Sequence, residues 1–202
     1  MESDFNLYTW EYLQANNYFQ NHNCYKSFQL AKEDPEIIEK IRDKVMVDIG
    51  CGYGRETYYF SKYAKKVYAI DVSSPVLNLA NKFISEYGNY RTVKFVLAKE
   101  YEDIIKEPID FVYSRHVFQH ITPHLAKRYL KHFAQILRGE IDILFRVGDK
   151  KKYPLMKEPL VEYTNLELAE MLEKYHFLNV KDQIGNNYHL RRIHATAKSI
   201  DN

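Results

Sequence analysis

The spacing of apolar residues along the chain switches repeatedly between two periods. Residues 45–49, Val-Met-Val-Asp-Ile, form a short β-branched run of the kind found in buried parallel strands. Comparable runs recur at 67–71, 93–97, 109–114 and 141–147. Between them apolar residues return every three or four positions. That spacing predicts helices over 54–63, 74–87 and 123–137, with a short one near 101–106. Asp34-Pro35 supplies a cap and a first-turn proline for a helix reaching about Arg42. Ser73, Ser74 and Pro75 start the helix at 74, and Thr122-Pro123 starts the one at 123. Thr164 and Glu167 have capping-box spacing ahead of a helix to His176. Strands near 177–184 and 189–198 close the chain. Strict alternation of this kind predicts an α/β fold, a three-layer α/β/α sandwich whose sheet is mostly parallel with a C-terminal antiparallel strand.

Residues 5–22 carry Phe5, Leu7, Tyr8, Trp10, Tyr12, Leu13, Tyr18 and Phe19 among polar neighbours. The segment reads as helical, although its apolar positions spread too widely for one stripe. We therefore expect a single domain, with 1–33 as a helical extension and 34–202 as the core.

Composition narrows the partners. The chain has 202 residues, 46% of them hydrophobic, enough to bury a core. Its net charge is only +2, so no global basic field argues for a nucleic-acid partner. No apolar run is long enough to predict a membrane span, and the acidic, aromatic N-terminus does not read as a signal peptide. Cys24 and Cys51 are the only cysteines, and Cys51 sits in a glycine loop where small size is its use. The expectation is a cytoplasmic protein without disulfides. Nothing in the sequence fixes its oligomeric state.

The most informative stretch is Val45 to Thr57. An apolar strand ends in Asp48-Ile49. Gly50, Cys51, Gly52, Tyr53 and Gly54 then form a loop that demands small residues, and Arg55 opens a helix. Strand, glycine loop and helix make a nucleotide-type pocket at the carboxyl end of a parallel strand. A dinucleotide fingerprint needs glycine at the sixth position of the motif, where this chain has Arg55. Asp48 would repel a pyrophosphate but attract a cation such as an α-ammonium group. Further along, Val67-Tyr-Ala-Ile-Asp71 is an apolar strand ending in an acid that can accept ribose hydroxyls.

The pattern Asp-x-Gly-x-Gly-x-Gly at 48–54 resembles the first motif of class I S-adenosylmethionine-dependent methyltransferases, a Rossmann-like family. The stretch Asp71 to Ala80 resembles its second motif, and Ile109 to Ile121 its fourth-strand motif. Phe177 to Ala197 resembles its reversed closing hairpin. The resemblance covers about residues 35–199. It implies S-adenosyl-L-methionine as cofactor. The methionine part would lie on Gly50, Cys51, Gly52, Gly54 and Arg55, with Asp48 nearby. Asp71 would hold the ribose and Val72 would pack on the adenine. After the third strand the family often places an acid near the adenine amino group; here Lys99 stands there and Glu100 follows, so Glu100 is the candidate. Ser114 and Arg115 would lie beside the transferring methyl.

His116 and His120 are four apart, so a helix would put them on one face. They are the candidates for a general base, and packed, hydrogen-bonded histidines are the alternative. Adding His124 raises a metal site, but Pro123 interrupts the helix and no metalloprotease pattern follows, so no metal is expected. Lys150, Lys151, Lys152 and Tyr153 could recognise a phosphate-bearing acceptor or could simply be solvated. The N-terminal aromatics could cover the acceptor pocket or cap the sheet.

These residues point to an enzyme that methylates a small polar acceptor, with a lean toward an oxygen of a sugar or a phosphorylated metabolite. A non-catalytic cofactor-binding partner subunit and an RNA methyltransferase are the alternatives. A nicotinamide-dependent oxidoreductase is disfavoured by Asp48 and Arg55.

Overall fold

The structure is a computed structural model that describes residues 34–146, 167–184 and 190–198. These residues fall into two compact units that part between Lys106 and Glu107.

The first unit contains α1 (Pro35–Ile41), β1 (Val45–Ile49), α2 (Arg55–Tyr63), β2 (Lys66–Asp71), α3 (Ser74–Tyr87), a 3-10 turn at Tyr90–Thr92, β3 (Val93–Leu97) and α4 (Tyr101–Ile104). The caps are those expected. Asp34 accepts from the amides of Glu36 and Ile37 at the start of α1, and Ser73 accepts from Val76 at the start of α3. The helix α3 turns Val76, Leu77, Ala80 and Ile84 inward, the spacing of one helical face. In the strands, Met46, Val47, Val67, Ala69 and Ile70 are fully buried. Parallel pairing sets β1 against β2 from Val45 opposite Lys66 to Ile49 opposite Ile70. Next, β2 pairs with β3 from Val67 opposite Val93 to Asp71 opposite Leu97. This register leaves Asp71 one residue beyond the last β1–β2 pair, at the end where the glycine loop leaves β1.

The second unit contains β4 (Ile109–Arg115), a 3-10 turn at Phe118–His120, α5 (Pro123–Ile136), β5 (Leu137–Arg146), α6 (Glu167–Lys174), β6 (Leu178–Ile184) and β7 (Leu190–Thr196). Here β4 and β5 are parallel, while β7 is antiparallel to both β5 and β6. The strand β5 begins at Leu137, earlier than the predicted 141. Leu137 already pairs with Ile109, and the register shifts before Phe111. A Cβ on Gly139 would lie 2.0 Å from the carbonyl oxygen of Asp110, so only glycine allows this approach. On one face of the antiparallel part, Arg192 Nε bonds Asp142 at 3.0 Å and His194 Nε2 lies 2.9 Å from Glu140.

The seven strands run in the order β3-β2-β1-β4-β5-β7-β6, a mostly parallel sheet with an antiparallel C-terminal edge. This is the mostly parallel α/β fold expected from the alternation of elements, Rossmann-like as the resemblance implies. Among the described residues no helix is long and apolar enough to cross a membrane. The aromatic segment 5–22, the run Lys150 to Tyr153 and the cap residue Thr164 lie outside the described residues.

Candidate functional site

The loop between β1 and α2 turns on glycines held at positive φ. Gly50 is at 74°, Gly52 at 52° and Gly54 at 81°, all in the region that side chains disfavour. Gly54 is also the N-cap of α2, where the left-handed turn starts the helix without a side-chain cap. Cys51 is buried against Ala69 and Leu77, the small packing role expected of it. Burial, with Asp71 and Asp48 adding repulsion, pushes its thiol well above the ordinary range, so it stays protonated.

The amides of this loop are engaged inside the protein. Gly50 and Cys51 both donate to the carbonyl of Ile70, at 2.8 and 2.9 Å, and Gly54 donates to Cys51 at 2.9 Å. Gly52 donates to Asp71 Oδ2 at 3.0 Å. A pyrophosphate loop works the other way, with its amides turned toward the anion. What the engaged residues have to offer a ligand is oxygen. The implied backbone contacts of Gly50 and Cys51 must therefore come from carbonyl groups, and Cys51's carbonyl already accepts from Gly54. Gly50's carbonyl is the better candidate.

Two buried carboxylates flank the loop. Asp48 is 3% exposed, and its Oδ2 accepts from Thr57 Oγ1 at 2.6 Å. Its other oxygen accepts no hydrogen bond from the described residues. Burial drives its carboxyl up to about 7; the Thr57 hydroxyl pulls it down, and Glu56 and Asp71 push it up. Asp71, 6% exposed, accepts from Gly52 N and from Ser73 N at 3.1 Å. A site built from carboxylate and carbonyl oxygens suits a cation and hydroxyl donors, not an anion.

The remaining predicted residues of this unit are placed as follows. Val72 is half-buried between Asp71 and the cap Ser73. Arg55 is the first residue of α2, and its buried Nε makes no hydrogen bond. Glu100 is exposed and begins α4 through its backbone, with no capping bond from its side chain. The structure brings Asp48, the glycine loop, Asp71 and Thr57 together; it gives Glu100 no contact with them.

In the second unit, Ser114 is fully buried and Arg115 is exposed, opposite Ile143 and Leu144 of β5. The two histidines do not share a helical face. His116 follows the strand at φ 59°, a left-handed conformation, and its amide donates to Leu144's carbonyl at 2.7 Å. Val117 turns the chain into the 3-10 turn that contains His120. The four-residue spacing carries no helical meaning here, because a left-handed residue cannot continue into an α-helix. His120 is buried, with Nε2 3.0 Å from Gln119 Nε2. His124 is exposed in the first turn of α5.

Residues 47–141 match the sequence model of the methyltransferase domain family. Over these residues the chain is similar to the class I S-adenosylmethionine-dependent methyltransferases. Over 147 residues it is 27% identical to the Saccharomyces cerevisiae protein named Probable S-adenosylmethionine-dependent methyltransferase CRG1, covering 65% of this chain. The chain spans 50% of that protein's length. Its fold is similar to magnesium protoporphyrin IX methyltransferase of Synechocystis PCC 6803, solved with bound SAH. The TM-score is 0.69 at 16% identity, over 96% of this chain and 100% of that one. It is also similar to a TehB-like SAM-dependent methyltransferase of Corynebacterium glutamicum, with a TM-score of 0.67 at 17% identity over 92% and 98% of the two chains.

The cofactor of this methyltransferase family is S-adenosyl-L-methionine, and the oxygen-lined site fits it. Among the described residues the buried Asp48 carboxylate has one neutral hydrogen bond and no cation partner, which suits an ammonium group. Thr57 was not foreseen from the sequence. The signal was present, since in a helix starting at Arg55 the third residue sits over the loop that precedes it.

Proposed function

We propose that the protein transfers the methyl group of S-adenosyl-L-methionine to an oxygen of a small polar acceptor, such as a sugar or a phosphorylated metabolite. The observation that carries the cofactor half is the glycine loop, whose engaged amides and flanking carboxylates leave a site for a cation. Asp48 and the Gly50 carbonyl would receive the ammonium, and Asp71 the ribose hydroxyls. When bound, the sulfonium supplies an activated methyl group. The protein's part is to orient the acceptor and exclude water. Ser114 and Arg115 stand where β4 ends, and His116 follows in a conformation that the β5 backbone holds. Residues kept in sparsely populated backbone conformations cluster at functional sites, which favours His116 over His120 for handling the acceptor's proton. His120, buried beside Gln119, suits a packing role better.

The net charge of +2 favours a small acceptor over RNA. The preserved loop and both carboxylates favour an enzyme over a non-catalytic partner subunit. The test is a turnover assay with S-adenosyl-L-methionine against a panel of sugars, sugar phosphates and small acids, read by formation of the demethylated cofactor. Methylation confined to RNA would replace the acceptor assignment. Cofactor binding with no turnover on any acceptor would favour the partner-subunit reading.

A further inference from the structure

Thr57 is fully buried in the first turn of α2, and it bonds the Asp48 carboxylate at 2.6 Å. That length lies in the range of a hydroxyl donating to an ionised oxygen. It is the only hydrogen bond that either carboxylate oxygen of Asp48 makes among the described residues. The bond fixes which oxygen faces α2 and which is left for a ligand. We propose that Thr57 is a positioning residue for cofactor binding: its hydroxyl turns Asp48 Oδ2 toward α2 and so leaves Oδ1 for the cofactor's ammonium.

The electrostatics are consistent with this. Burial is the largest influence on Asp48 and opposes ionisation. Glu56 on α2 and Asp71 on β2 also oppose it, and Thr57 is the group that favours it. With the carboxyl titrating near 7, a small push decides whether the cation finds a charge. Removing the hydroxyl leaves three influences opposing the anion and none of comparable kind favouring it. A hydrophobic replacement of the same shape preserves the packing and deletes only the donor.

This proposal rests on the cofactor reading above, and the test separates the two. Calorimetric affinities for S-adenosyl-L-methionine are measured from pH 5.5 to 9 for the unaltered protein, Thr57→Val, Thr57→Ala and Thr57→Ser. In the unaltered protein affinity should rise through about pH 7 and fall again where the cofactor's own α-ammonium loses its proton, about pH 8 or above. In the Val and Ala variants the rise should move up by about one pH unit, with about fivefold weaker binding at pH 7. The Ser variant should restore the original profile. Unchanged affinity and pH profile in a folded Val or Ala variant overturns the role of Thr57 alone. Absence of binding by the unaltered protein at every pH overturns the cofactor reading and this proposal with it. Should both donor-deleted variants misfold, the pH profile of the Ser variant decides. A profile equal to the unaltered one supports the hydroxyl's role, and a profile displaced despite the hydroxyl overturns it.

Discussion

The amide of Gly52 donates to Asp71 Oδ2 at 3.0 Å. One end of that bond belongs to the loop after β1 and the other to the last residue of β2. The same carboxylate accepts from Ser73, the cap of α3. Asp71 thus ties the loop, the strand end and the next helix to one another. A carboxylate held from two sides is already placed before any ligand arrives, so little rotamer entropy remains to be lost on binding.

Replacing Asp71 should therefore have two effects. Asp71→Ala removes the acceptor for ribose hydroxyls, which should weaken cofactor binding by about 1–3 kcal/mol. It also strands the Gly52 and Ser73 amides, which should lower stability by about 1–2 kcal/mol. Calorimetry and urea unfolding on the same preparation measure both. Reduced stability with unchanged affinity would assign Asp71 to loop tethering alone.

Gly139 offers a test of the β4–β5 pairing. A Cβ there would sit 2.0 Å from Asp110's backbone oxygen, where no side-chain rotation can relieve the clash. Gly139→Ala should cost about 3 kcal/mol, the upper end for overpacking. The comparison is Gly54→Ala, whose Cβ would meet Ala80 at an ordinary 3.4 Å. That substitution should cost about 1–2 kcal/mol, mainly through its φ of 81°. If the two variants unfold at the same denaturant concentration, the close strand approach at Gly139 is not as described.

These sites also show what a sequence can and cannot reveal. The strands β1 and β3 and the helix α3 carry their limits in local chemistry: β-branched runs, a serine-proline start, a glycine after the end. Their predicted bounds coincide with the observed ones. The loop and Asp71 were legible for the same reason, because glycine and strand-end acids mark a local geometry. The start of β5 was not, since Arg138-Gly139-Glu140 is polar and its strand character comes only from pairing with β4. The Asp48–Thr57 bond and the left-handed turn at His116 depend on three-dimensional closure, which spacing along a chain does not encode. A period of four suggested a helix at 116–120, and the backbone turned instead.

Asp48 should leave a signature in the pH dependence of stability. Its carboxyl titrates at about 7 in the folded protein against an ordinary 3.8 when unfolded. The raised value means the folded state holds a proton that the unfolded chain has released. The stability this group contributes is complete below about pH 4 and is lost as pH rises through about 7. The slope is at most about 1.4 kcal/mol per pH unit. Urea unfolding of the cofactor-free protein between pH 5 and 8 should show this decline, and Asp48→Asn should lack that part of it. Parallel curves for the two proteins would return Asp48 to the ordinary carboxylate range.

The acceptor chemistry comes down to His116. Its φ of 59° is a conformation that asparagine tolerates about as well, so His116→Asn removes the imidazole and leaves the backbone its turn. If the ring takes the acceptor's proton, turnover should fall by about 10²–10⁴ while cofactor affinity stays the same. His116→Gly should relax the backbone, so a loss of turnover in that variant with gained stability would again point to the ring. His120→Asn makes the contrast. His120 is buried beside Gln119, and its replacement should lower the unfolding midpoint more than it lowers turnover per folded molecule. Should both histidine variants turn over normally on the natural acceptor, proton transfer would pass to another group. Tyr113, buried at the end of β4, is the next to replace, followed by Arg146 and Tyr153. Normal turnover in all of them would mean that alignment and exclusion of water suffice, as expected for an acceptor that reacts without a base.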